Sequence, residues 1–302
     1  MITYDPKSWL KLGFAYRGTI IPRVLVRVGV LVALTFGVFV AREAILWLTT
    51  PPKDAPVATA PTDPLKPFKP LGHTLIGVAL GLLIVFRNNC SYDRYWEGRK
   101  LWGSIVNTSR NLMRGAVIAA ANHGKELAGL VSAYALALKQ HLRSDKDLRE
   151  LNEHLPPAVF DQASAAGNPP ATIAFHMSRW IAARQAEGQI DSVTAQGLEV
   201  QVRTLLDNQG GCERILRTPI PFAYAVHIKQ LLFLYLLSLP FVLVGEMGWV
   251  AIPTTAAIAF GLLGIEEAGV EIEDPFGDDP NDLPIEAICT TIGRDAKAAA
   301  EM

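Results

Sequence analysis

The sequence is poor in cysteine, in unbalanced charge and in catalytic signatures. Cys90, Cys212 and Cys289 are its only cysteines in 302 residues. They lie far apart, which gives neither a disulfide framework nor a zinc-ligand spacing and is compatible with a reducing cytosolic environment. The 28 basic and 29 acidic residues leave a net charge of −1. No basic excess exists to hold a nucleic acid backbone, so that partner class is excluded. There is no Gly-rich phosphate loop, no GxSxG and no HExxH. The histidines His73, His123, His141, His154, His176 and His227 are dispersed. An enzyme is therefore not expected, and no cofactor is required. Strand-like alternation and internal repeats are missing too. No cleavable leader is expected, because Met1–Arg23 carries Lys7, Lys11, Arg17 and Arg23 before the first apolar run.

What is present is apolar surface. Half of the residues are apolar, only 19% are charged, and the mean hydropathy is +0.23. That is too apolar for a disordered chain and too polar for one lying wholly in lipid. Uncharged runs occupy Val28–Ala41, Pro70–Phe86, Gln230–Gly245 and Met247–Ile265. A helix needs ~20 apolar residues to cross a bilayer core. The first run reaches that length by including Val24–Val26, and the third by reaching back to Ile220. The alternative is four buried helices of a soluble domain. The runs, however, cluster as two pairs at the two ends of the chain, whereas a soluble core spreads its apolar residues more evenly.

The expected organisation is a cytosolic segment 1–23, a first transmembrane helix 24–48 and an external connection 49–70. A second transmembrane helix, 71–100, extends into the cytosol. A cytosolic helical domain follows over 101–219, then transmembrane helices at 220–245 and 247–265. An acidic segment and cytosolic tail fill 266–302. The connection contains seven prolines, which argues against a helix there. Helix-like spacing recurs at Leu101–Met113, Lys125–Leu142, Ala171–Ala186 and Val193–Leu216. Ser144, followed by Asp147, predicts a helix start; Asn152–Pro170 predicts a loop. Lys and Arg crowd the start and the stretch from Arg87 to Arg114, which puts both termini and the middle in the cytoplasm.

Val78, Leu82 and Phe86 recur at i, i+4 and i+8, on one face of a helix. Gly77 and Gly81 stand beside them at a spacing that lets helices approach closely. The stripe reads either as packing or as a pore lining, where rings of apolar side chains gate by dewetting. Between Glu266 and Asp282 lie eight carboxylates and no Lys or Arg. Asp274, Asp278, Asp279 and Asp282 are oxygen ligands dense enough to suggest a weak Ca²⁺ site. The alternatives are a solvated turn, helix caps or partners for the basic residues of 87–114.

Three segments carry a resemblance. Arg87-Asn-Asn with Tyr92-Asp-Arg-Tyr-Trp-Glu-Gly-Arg-Lys-Leu-Trp-Gly and Asn107–Leu112 resembles the signature after the second transmembrane helix of bacterial bestrophins. Thr218-Pro-Ile-Pro-Phe-Ala-Tyr-Ala-Val-His-Ile is similar to the family's entry into its third. Glu273-Asp-Pro-Phe-Gly-Asp-Asp-Pro-Asn-Asp-Leu-Pro is similar to the segment after its fourth. The resemblance implies an all-α membrane protein with four transmembrane helices and a helical cytosolic domain per subunit, in a homopentamer around a central pore. It implies a neck at Val78, Leu82 and Phe86 and a cytosolic aperture at Ile220. Eukaryotic members place a calcium clasp at the acidic segment, from which this chain departs at Pro280. The expected function is passive passage of small monovalent ions in a bacterial inner membrane, with self and the lipid bilayer as partners. Acidic content leans towards cations; a chloride or other anion channel of the same plan is the alternative. A non-conducting scaffold and a membrane enzyme are the other classes.

Overall fold

In a computed structural model, residues 4–5, 7–50 and 63–302 are described, and no strand occurs among them. The Pro-rich connection expected over 49–70 lies largely outside the described residues. The helices are α1 (Trp9–Gly13), α2 (Ile21–Thr49), α3 (Pro70–Ala119), α4 (Gly124–Leu142), α5 (Pro157–Ala165), α6 (Pro169–Ala186), α7 (Ser192–Arg217), α8 (Phe222–Met247), α9 (Ala251–Glu271) and α10 (Ile285–Ala300). The chain divides into two compact units. One takes residues up to Tyr92 together with Ile220–Glu273; the other takes Asp93–Pro219 and Asp274–Met302.

The first unit contains α2, the start of α3, α8 and α9. Pro22 sits in the first turn of α2, where its missing amide costs nothing. Segments Ile21–Thr49, Pro70–Ala119 and Phe222–Glu271 are long and apolar enough to cross a membrane. The third of these is a hairpin. Helix α8 ends at Gly248, whose φ of 59° suits a residue without Cβ, and a short 3-10 turn leads into α9. Val244 and Ala251 share one cluster beside the turn, and Lys229 Nζ lies 3.1 Å from Glu266 Oε1 at the far end. The two helices are therefore antiparallel. Each arm, at ~1.5 Å per residue, exceeds the ~30 Å of a bilayer core. Val24, Val28, Leu80, Ile84, Ile228, Leu232 and Leu263 form the shared interior of this unit.

The second unit is built around α4, whose Leu127, Val131, Tyr134 and Leu138 are buried. Helices α6 and α10 pack on it, and Trp102, Ile105, Leu112 and Met113 of α3 complete its core. Asn168 caps α6 by accepting from the Ala171 amide at 3.2 Å. Asp191 caps α7 in the same way, at 2.7 Å from the Thr194 amide.

Four expectations change. The helix expected at 71–100 runs to Ala119, because nothing between Lys100 and Ala119 breaks it; Leu101–Met113 is its continuation. The loop expected at 152–170 contains α5, which begins on Pro157, a residue suited to a first helical turn. Ser144 starts no helix: it follows α4 with a φ of 55° and turns the chain instead. The tail contains α10, which buries Ile285, Cys289, Ile292 and Ala296 at helical spacing.

Candidate functional site

The start of α3 has two unlike faces. Leu80 and Ile84 are buried in the unit's core. Val78, Leu82 and Phe86 are 69%, 56% and 53% exposed. The i, i+4, i+8 stripe of the sequence is thus presented outward by the subunit, and Val85 is exposed beside it.

What fixes this orientation is the inner face. A Cβ at Gly77 would stand 2.9 Å from the Tyr235 hydroxyl, so glycine is what lets α8 come this close. Nothing comes within 4 Å of such a Cβ at Gly81, so only one of the two glycines works as a close approach within the subunit. Tyr235 stacks on His73 with ring centroids 4.0 Å apart. His73 Nε2 lies 3.1 Å from the Tyr235 carbonyl oxygen. Tyr224 donates from α8 to the Leu83 carbonyl at 3.3 Å.

One turn beyond Ile84 the inner face becomes ionic. Arg87, only 2% exposed, places Nη1 3.0 Å from Glu266 Oε1 and Nη2 3.3 Å from Glu273 Oε2. Asn88 donates to the Ile265 carbonyl at 3.0 Å. Arg27 reaches Glu267 at 3.0 Å, and Arg23 lies 3.8 Å from Glu267 and 3.9 Å from Glu271. The spacing of the sequence did not single out Arg87 or Lys229 in this role. The paired basic and acidic residues are 37 to 248 positions apart, too far for any local pattern. Two unlike charge runs of similar size were the available signal.

Ile220 is 9% exposed in the single chain. It stands between Pro219 and Pro221, and its amide donates to Glu273 Oε1 at 3.3 Å. Of the four aspartates only Asp274 and Asp282 draw near each other, at Gly277. Asp274 Oδ1 accepts from the Phe276 amide at 3.2 Å, and Asp282 Oδ2 from the Asp279 amide at 2.7 Å. Asp278 pairs with Arg143 at 3.0 Å. Among the described residues no group of three or more His, Cys, Asp or Glu is placed to hold a metal ion, so these residues do not fit the Ca²⁺ site suggested by their density. Cation pairing takes up Glu266, Glu267, Glu271, Glu273 and Asp278 instead.

A helical unit with apolar helices, an apolar outer stripe and a buried ionic layer is that of an integral membrane protein. The model of the bacterial and fungal bestrophin proteins matches residues 1–298. The chain belongs to that family. It is 37% identical over 97% of its length to a voltage-dependent anion channel-forming protein of Nostoc sp., covering 92% of that relative. With the voltage-dependent anion channel-forming protein YneE of Escherichia coli K12 it shares 30% identity over 97% of this chain and 91% of the relative. A crystal structure of a bacterial bestrophin homologue from Klebsiella pneumoniae is similar at a TM-score of 0.82 and 25% identity, over 92% of this chain and 99% of that one.

Proposed function

We propose that the chain is the subunit of a passive ion channel in the bacterial inner membrane, a homopentamer whose pore neck is formed by Val78, Leu82 and Phe86. One observation carries this reading: the stripe faces outward while the opposite face of the same helix is held by Gly77, Tyr235 and the Arg87 ion pairs. Five copies around an axis stack three apolar rings, which resist wetting and gate ions. Four spans, α2, α3 and the two arms of the α8–α9 hairpin, would bring both termini to one side, and the Lys and Arg excess at the start and over 87–114 favours the cytoplasmic side. A cysteine replacing exposed Ala165 then escapes a membrane-impermeant thiol reagent in intact cells, and one replacing Ala58 is labelled. The channel catalyses no reaction.

For the permeant ion we favour anions over the cations suggested by acidic content. The carboxylates at 266, 267, 271 and 273 are engaged by Arg23, Arg27, Arg87 and Lys229, so they present little free negative charge. In the other unit, α3 exposes Arg99, Lys100 and Arg114, and among the described residues no ion-pair partner is found for these three. The names of the Nostoc and Escherichia coli relatives support the same sign. A reversal potential in asymmetric NaCl tests it: a shift towards the chloride equilibrium potential is expected, and a shift towards that of sodium restores the cation reading.

Ile220 carries two readings. The family resemblance makes it the cytosolic aperture; its burial within the subunit favours packing. Thermal stability and relative permeability of Ile220→Ala, measured on one preparation, separate them. Changed ion preference with little lost stability supports the aperture, and lost stability with unchanged preference removes it.

A further inference from the structure

Helices α2 and α8 leave a groove of about 490 Å³ between them, with Leu263 of α9 in its lining. Val30 and Leu34 line it from α2, Phe233 and Leu237 from α8. Val30 and Phe233 are well exposed. One end differs from the rest: Arg27 and Lys229 close it, with Glu266 the one carboxylate in the lining.

These two cations are half exposed, at 50% and 55% of their side chains. Beneath them Glu267 and Glu266 are buried, at 3.0 Å from Arg27 and 3.1 Å from Lys229. The pairs are neutral in sum, but the negative partner is inside and the positive one at the rim. An arginine has five N–H donors and a lysine three, so each cation keeps donors beyond its ion pair. A visitor at this end of the groove meets positive charge first. Long cationic side chains at the end of an apolar span behave this way where they meet lipid headgroups.

We propose that the groove binds an anionic phospholipid, with an acyl chain along the apolar walls and the phosphate against Arg27 and Lys229. A zwitterionic lipid would bring an ammonium group to the same two cations. Among the described residues, a second copy of the chain would have little carboxylate to offer at this level: Glu266, Glu267 and Glu271 are buried, and Glu273 is mostly covered and paired with Arg87. Exposed Glu43 and Glu246 stand ~24–26 Å along their helices from Arg27 and Lys229.

The test needs no current and so stands apart from the conduction reading. The full-length purified protein is equilibrated in mixed micelles with equal phosphatidylglycerol and phosphatidylcholine, and retained lipids are counted by native mass spectrometry. Phosphatidylglycerol should be retained roughly fivefold over phosphatidylcholine, the preference expected of about one well-placed cation. Lys229→Gln should reduce it, but that change also strips a partner from buried Glu266. Val30→Trp fills the groove and leaves every charge in place; it should abolish the preference without altering the oligomer's mass. Val40→Trp, on exposed α2 surface away from the groove, should keep it. Equal retention of both lipids by the unaltered protein overturns the proposal, as does full retention by Val30→Trp. A changed oligomeric mass in Val30→Trp also overturns it, because a neighbouring chain then fills the groove.

Discussion

Both units have an apolar core, but they differ in what they expose and in how much charge they bury. The unit built on α4 hides Trp102, Leu112, Tyr134 and Leu138 and exposes most of its charges. The unit built on α2, α8 and α9 exposes Val26, Val30, Phe233 and Trp249 and hides Arg87, Glu266, Glu267 and Glu271. Burial in water is driven by apolar area. In lipid, apolar side chains gain nothing by turning inward, so tight packing and satisfied polar groups hold helices together. The contrast is the one expected of a unit facing lipid and a unit facing water. It also changes which substitutions should hurt.

The largest effect is expected at the buried charge. Arg87→Ala leaves Glu266 and Glu273 without their shared cation and should cost ~3–5 kcal/mol, with little folded protein surviving extraction. Thermal unfolding in detergent measures it; a near-neutral result would mean that the ionic layer contributes nothing to the unit. Next comes a pair two positions apart on one helix. Leu80→Ala removes a buried side chain and should cost ~2–4 kcal/mol. Leu82→Ala removes an exposed one and should change stability by less than ~1 kcal/mol. Equal costs at the two positions would erase the distinction between the faces of α3.

Smaller effects belong to the other unit. Asn168→Ala takes away the α6 cap and should cost ~1 kcal/mol in the same assay, and more if the Asn168–Glu213 hydrogen bond at 3.0 Å matters. Glu213 gives the smallest change, seen as a pH dependence. Burial alone would raise its carboxyl, but hydrogen bonds from Gln209 and Asn168, with His141 and Arg217 nearby, hold it below the ordinary carboxylate range. A lowered folded value means that its stabilisation is present above the unfolded pKa and is lost as pH falls through the folded one. Glu213→Gln should therefore flatten the acid side of the unit's stability profile. An unchanged acid limb would show that Glu213 does not carry it.

Much of this was legible in the sequence, and the omissions have a common cause. The apolar runs, the Val78–Leu82–Phe86 face and the polar middle follow from periodicity, which is local. The break between the third and fourth apolar runs marks the hairpin of α8 and α9, which turns at Gly248. Missed features depend on partners far along the chain. Arg87 and Glu266 are 179 positions apart, and no spacing rule joins them. The density of acids after Glu266 left a cation site and pairing with the basic residues of 87–114 both open, and the fold pairs several of those carboxylates with arginines, Arg87 among them. Helix α10 had a readable signal in Ile285, Cys289, Ile292 and Ala296, masked by the Pro and Asp residues just before it. Gly81 had the right neighbour in sequence and none in the folded subunit, which shows how a packing motif can be spelled without being used.

The central claim is that the outward stripe of α3 lines an ion path. The most direct measurement is single-channel current through purified Leu82→Ala and Phe86→Ala oligomers in planar bilayers, beside the unaltered protein. Smaller side chains widen an apolar constriction and let it wet more easily, so conductance or open probability should rise while the oligomer's mass stays the same. Currents identical to those of the unaltered protein, from intact oligomers of both variants, would contradict the claim and place the stripe against lipid or a neighbouring chain.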